Sequence, residues 1–144
     1  MAEFTYNPVQ VVATNQPVIL NTSIACNKGY VYHRNESGIV TLRGIVNGAG
    51  CFARYQVAFN GNIAVPTGET VGPIAIALAI SGEPIQTSKA IVTPAAVDNY
   101  FNVTSTAIIT VPKGCCFNIS VENVSDPAVD INVQNANLTV SRIA

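Results

Sequence analysis

A single histidine, His33, stands in the run Tyr30-Val31-Tyr32-His33-Arg34. Nucleophilic catalysis by a Ser-His-Asp or Cys-His set needs an imidazole to take the proton, so any such site has to use this residue. The chain has no Gly-x-Ser-x-Gly elbow and no cysteine-protease signature to accompany it. His33 therefore reads as a structural or surface histidine. The four cysteines, Cys26, Cys51, Cys115 and Cys116, include no pair at zinc-knuckle or Cys-x-x-Cys spacing. With one histidine and no ordered cysteine pair, no transition-metal site is expected within a subunit. Cys115 and Cys116 are adjacent and face opposite ways in a strand. All four read as small buried apolar side chains; the alternative is a disulfide from Cys26 or Cys51 to one of the pair, against which a reducing compartment argues.

Among the eight carboxylates, Asp126 and Asp130 flank one turn. Calcium takes six to eight oxygens, so two on a loop read better as an Asp-Pro turn. No catalytic residue, metal ligand or cofactor site is expected, and the chain reads as no enzyme. Sugar stacking is the remaining chemistry. Tyr55 belongs to an inward strand face, whereas Tyr30 and Tyr32 share a face and are candidates for a ligand surface or for the core. Six Asn-x-Ser/Thr sequons, at Asn21, Asn35, Asn102, Asn118, Asn123 and Asn137, read as chance in a chain rich in Asn and Thr.

The elements that would position these residues are strands. No sustained helical periodicity appears, β-branched residues dominate, and Gly, Pro, Asn and Asp interrupt them at short intervals. Roughly ten short strands are expected, the signature of an all-β sandwich or barrel. They cover residues 9–13 with 17–21, then 30–34, 38–45, 51–60, 73–80, 85–92, 99–111, 115–123, 129–133 and 136–143. Residues 51–60 place Cys51, Ala53, Tyr55, Val57 and Phe59 on one face; 115–123 place Cys115, Phe117, Ile119 and Val121 inward; Leu138 and Val140 point inward in the last strand. The 144 residues form one domain over 9–144, preceded by an arm over 1–8.

Charged residues make up 10% of the chain, against about 25% in typical domains. So little surface charge protects a monomer poorly against association. With a net charge of −1 and no basic stripe, neither nucleic acid nor a membrane surface is an expected partner. The N-terminal residues have no positive n-region and no apolar h-region, so no secretory signal is expected.

Residues 73–80 read Pro-Ile-Ala-Ile-Ala-Leu-Ala-Ile. In a strand, Ile74, Ile76, Leu78 and Ile80 share one face and Ala75, Ala77 and Ala79 the other. With neither face polar, the strand is expected to be covered twice: by a core on the bulky side, and by close approach of a second surface on the alanine side.

The pattern from about Val11 to Ala144 resembles the jelly-roll domains of the tumour necrosis factor and complement globular-head superfamily. The resemblance rests on Cys51-Phe-Ala-Arg-Tyr-Gln-Val-Ala-Phe59, on Ala77-Leu-Ala-Ile-Ser-Gly-Glu-Pro-Ile85, on Ile109-Thr-Val-Pro-Lys-Gly-Cys-Cys-Phe-Asn-Ile-Ser-Val-Glu-Asn123 and on the closing Ala136-Asn-Leu-Thr-Val-Ser-Arg-Ile143. It is nearest the bacterial and phage branch, with the heads of collagen-like spore-surface proteins. Two departures stand out: the family's Gly-Asp is Gly114-Cys115 here, and no Gly-X-Y stalk is present. The resemblance implies a ten-stranded jelly-roll sandwich assembled as a homotrimer, with Ala75, Ala77 and Ala79 at the subunit interface. It also implies a structural virion role, as a head fibre or capsid-decoration protein bound to a capsid or fibre protein. Phe4, Tyr6 and Pro8 would make that attachment, and loss of residues 1–8 would spare the trimer. The alternative is a carbohydrate- or host-surface-binding head whose glycan or surface ligand meets Tyr30 and Tyr32.

Overall fold

A computed structural model describes residues 2–24, 29–34 and 36–144. Cys26 lies outside the described residues. Two antiparallel six-stranded sheets face each other. The first runs in the order β10 (Phe101–Pro112), β6 (Phe52–Ala64), β12 (Ile131–Arg142), β1 (Ala2–Tyr6), β3 (Thr22–Ile24), with β2 (Gln10–Val12) also on β12. The second runs β4 (Val31–His33), β5 (Val40–Arg43), β11 (Cys116–Asn123), β7 (Ile74–Ile80), β8 (Glu83–Pro84), with β9 (Ala90–Val92) also on β7. The all-β sandwich expected from the sequence is thus the observed architecture.

Alternation decides which side of each strand is buried. In β6, Ala53, Tyr55, Val57 and Phe59 are fully buried, whereas Phe52, Arg54, Gln56 and Asn60 face out. Ile74, Ile76 and Leu78 of β7, with Leu42 and Val121, face them from the second sheet, and Leu138 and Phe4 extend the first sheet's side of the same core. Burying each such side chain contributes about 1.5–3 kcal/mol. Tyr55 is the polar exception. Its hydroxyl donates to the Arg43 carbonyl at 2.6 Å, and burial pushes the phenol up, keeping it a donor.

Turn chemistry follows the residues. Ser81 and Gly82 both have positive φ, 52° and 82°, and link β7 to β8 as a two-residue hairpin. At 112–115 the Cys115 N–H closes on the Pro112 carbonyl at 3.0 Å with Gly114 at φ 80°, the type II geometry that glycine permits.

Several expectations need correction. Residues 2–6 are a strand rather than an arm. Ala2, Phe4 and Tyr6 alternate with Glu3 and Thr5, and β1 is hydrogen-bonded between β12 and β3. The expected strand over 85–92 is broken by a 3₁₀ turn at Gln86–Ser88. There the Ser88 hydroxyl stands in for a strand partner: it accepts from the Leu78 N–H at 3.0 Å and donates to the Ile85 carbonyl at 2.7 Å. Ser105 in turn donates to the Ser88 carbonyl. The two strands expected at 129–133 and 136–143 are one, β12, carried past Asn135 (φ 57°) by a bulge. Residues 17–21 form no strand and meet the sheets through single bridges at Pro17 and Leu20 and an Asn21 N–H bond to the Thr5 carbonyl at 3.0 Å. Cys51, Cys115 and Cys116 are free and exposed, not buried. Cys51 precedes β6, Cys115 leaves the turn, and Cys116 pairs with exposed Arg43 on the outer side of β11.

Candidate functional site

His33 is held by both ring nitrogens. The Ser37 carbonyl, which can only accept, lies 2.8 Å from Nε2, so that nitrogen carries a proton. Nδ1 meets Ser23 Oγ at 2.6 Å. Ser23 belongs to β3 of the first sheet and His33 to β4 of the second, and the imidazole packs 4.9 Å from the Phe4 ring. The side chain thus clips the two sheets together at one edge, with both ring nitrogens hydrogen-bonded. Among the described residues, no three His, Cys, Asp or Glu side chains gather as a metal site.

Tyr30 and Tyr32 do not form one surface. Tyr30 is half-buried with the Arg142 guanidinium 4.4 Å above its ring, and its carbonyl lies 3.3 Å from the Tyr55 hydroxyl. Tyr32 is 53% exposed on the outer face of the second sheet, where it pairs with Thr41. Phe4, expected to attach the chain to a particle, is fully buried. Tyr6 packs against the core as well, and of the three only Pro8 is exposed.

The alanine face is already covered by its own chain. Ala75, Ala77 and Ala79 are 3%, 1% and 0% exposed. Their methyl groups lie at the floor of a trough. Ser120 and Glu122 of β11 stand directly opposite Ala79 and Ala77, while Pro84, Gln86 and Lys89 close the other side at Ala77. The alanine methyl groups themselves therefore offer little surface for a neighbouring subunit to bury.

What the outer face of the second sheet does present is a pair of adjoining clefts. One, of about 250 Å³, is lined by Tyr32, Arg34, Ser37, Ile39, Thr41 and Asn118. The other, of about 410 Å³, shares Ile39 and Asn118 and continues to Pro17, Ser120 and Glu122, with Asn15, Ser81 and Gly82 at its rim. Strand pairing builds it. Residues 14–18 run beside the end of β11, with Pro17 bridged to Glu122 and the Val18 N–H donating to Val121 at 2.7 Å. The Thr41 hydroxyl donates to Asn118 Oδ1 at 2.8 Å, which turns the Asn118 amide nitrogen outward as a donor.

Glu122 is the unexpected member. It is only 5% exposed, yet it lines the larger cleft. Its carboxylate has no hydrogen-bond or ion-pair partner among the described residues. Burial pushes its carboxyl above the usual 4.5, and neighbouring Glu83 acts in the same direction. The folded state therefore holds this proton more tightly than the unfolded chain does. The penalty for ionised Glu122 is absent below the unfolded value of 4.5 and complete above the raised folded value. Glu122→Gln is accordingly expected to raise Tm at neutral pH and to leave it unchanged below pH 4.5, as read by thermal denaturation at the two pH values. Equal shifts at both would show that the carboxylate is not the source.

No family model matches the sequence, and no curated protein matches it. Solved structures do match in shape. The globular domain of zebrafish complement 1qA superposes with a TM-score of 0.64, covering 99% of this chain and 97% of that one at 15% identity. Eiger TNF from S. frugiperda superposes with a TM-score of 0.63, covering 100% and 92% at 10% identity. The chain has the jelly-roll fold of the tumour necrosis factor and complement 1q globular domains, and at these identities the likeness is one of fold alone.

Proposed function

We propose that this protein is a non-enzymatic head domain that assembles as a homotrimer and serves a phage or phage-like particle as a head fibre or decoration subunit, in the virion. The observation that carries the assembly is the outer face of the first sheet. Its outward residues run across β10, β6, β12 and β1 in rows such as Thr106–Ala58–Thr139–Glu3 and Thr104–Asn60–Asn137–Thr5. Among all the outward positions of these four strands only Glu3 and Arg54 are charged. A broad sheet face that is nearly free of charge and carries exposed Phe52 and Ile108 resists association poorly, and it is the surface that best suits subunit contact. Contact there leaves the clefted second sheet facing outward.

Ala58 is half-exposed near the middle of this face. Ala58→Arg places three guanidinium groups around one assembly, and like-charge juxtaposition across an interface costs several kcal/mol. Light scattering after size exclusion is expected to give a three-chain mass for the wild type and a single-chain mass for the variant, with circular dichroism unchanged. A monomeric wild type would sink the assembly; a variant that stays trimeric would sink the face. Antibody labelling of purified particles reads the virion role, and absence of label would refute it.

A further inference from the structure

The Glu122 cleft has a feature that assembly does not use: an acidic residue only 5% exposed overall, with no side-chain partner among the described residues, lining an open space. Buried charges are ordinarily paired, because desolvation without a partner costs several kcal/mol. Among the described residues, no lysine or arginine lines this cleft. The acidic Glu83 adds to the negative field at Glu122, and the remaining lining groups, Asn15, Pro17, Ile39, Ser81, Gly82, Asn118, Ile119 and Ser120, do not titrate. The vacant partner is therefore cationic.

The walls define the rest of the ligand. Pro17 and Ile39 are aliphatic, and no aromatic ring lines the larger cleft. A sugar would want a ring to stack on, whereas an alkyl stem packs on aliphatic walls. Ser120, two residues before Glu122 on the same face of β11, and Asn118, two residues earlier still, line the same cleft. An ammonium has three donors and no acceptor, and the Glu122 oxygens with the Ser120 hydroxyl supply acceptors for it.

We propose that this cleft is a binding site for a primary ammonium on an aliphatic stem, the lysine side chain of a partner protein, with Glu122 as the counter-ion and Pro17 and Ile39 as the stem's walls. The site lies on the sheet opposite the proposed subunit interface and does not depend on assembly.

The test uses the full chain and three probes: Nα-acetyl-lysine N-methylamide, its uncharged norleucine counterpart, and glucosamine. Amide chemical shifts of Ile39, Ser120 and Glu122 are followed in titrations. The lysine probe is expected to shift them saturably, and the norleucine probe to bind at least about tenfold more weakly. Glu122→Gln, isosteric and expected to fold, should weaken the lysine probe roughly 10- to 100-fold, the range of a hydrogen bond to a charged group. Ile39→Ala, at a 47% exposed position, keeps the charge and should weaken it severalfold through lost apolar contact. Binding should also be weaker at pH 4.5 than at about pH 7, because the carboxylate must be ionised. Equal binding of the lysine and norleucine probes, unchanged binding in Glu122→Gln, or no saturable shift would each overturn the proposal. Tighter binding of glucosamine than of the lysine probe would overturn it in favour of a glycan ligand.

Discussion

Phe4→Ala is expected to remove about 3–5 kcal/mol of stability, the cost of truncating a fully buried phenylalanine. Domains of this kind have about 5–15 kcal/mol in total, so the variant should sit near the edge of folding. The expected Tm is lower by roughly 10–20 °C. The argument rests on position. Phe4 is fully buried, in a strand hydrogen-bonded on both sides, and its ring backs the His33 clip between the sheets. Deleting residues 1–8 goes further. It would leave β12 without its neighbour along Ala136–Val140 and take from β3 the strand it pairs with. The expected result is loss of a cooperative unfolding transition. Thermal denaturation of both variants decides the matter: a truncated chain with native stability would mean that these residues are an attachment arm after all.

The reason the sequence conceals this strand is instructive. Ala2, Phe4 and Tyr6 alternate with polar residues, but the pattern is only five residues long, and its partner in β12 lies more than 130 residues away. A strand's existence can be written locally; its pairing is not. Where the local pattern is long and one-sided, as in β6, the buried face is legible residue by residue. The break at Gln86–Ser88 is hidden for the opposite cause. The apolar residues on either side read as one strand, and what interrupts them is a serine hydroxyl replacing a ladder bond at Leu78.

The sites divide in the same way. That His33 is a single histidine is visible from composition, but its role as a clip between sheets depends on Ser23 and Phe4, brought close by tertiary structure. Exposure of the three described cysteines turns on where each strand begins relative to its turn, the least legible part of any strand. Asn123 shows that a sequon can be a core device. Its side chain is fully buried and donates to the carbonyls of Val12 and Val129 at 3.0 and 2.8 Å. Glu122 escaped notice because it occupies an outward position in β11, where alternation predicts a solvated acid. Its burial comes from Pro17, drawn in from a distant segment.

Ala77→Glu separates two accounts of the double-apolar strand. That β7 is covered on both faces is correct, with Ile74, Ile76 and Leu78 in the core and the alanines almost fully enclosed. The cover on the alanine side is the chain itself. Glu122 stands directly opposite Ala77, and side chains so paired have Cβ atoms about 4.5–5.5 Å apart. A glutamate at 77 therefore puts a second unpartnered carboxylate beside the first in a poorly solvated trough. The exposed Lys89 is the cation at hand, and an exposed pair offsets at most about 1 kcal/mol. The expected net cost is on the order of 3–5 kcal/mol at neutral pH. Burial already pushes the Glu122 carboxyl up, and a second carboxylate beside it acts in the same direction, so the cost is expected to be full at neutral pH and to vanish below the unfolded value of 4.5. Urea denaturation should show the variant severely weakened near pH 7 and close to the wild type below pH 4.5, and Glu122→Gln in the same chain should restore part of the loss at neutral pH. A subunit contact on the alanine face predicts something else: a fully stable monomer released from an oligomer. That outcome would return the alanines to the interface and remove the uncharged face of the first sheet from it.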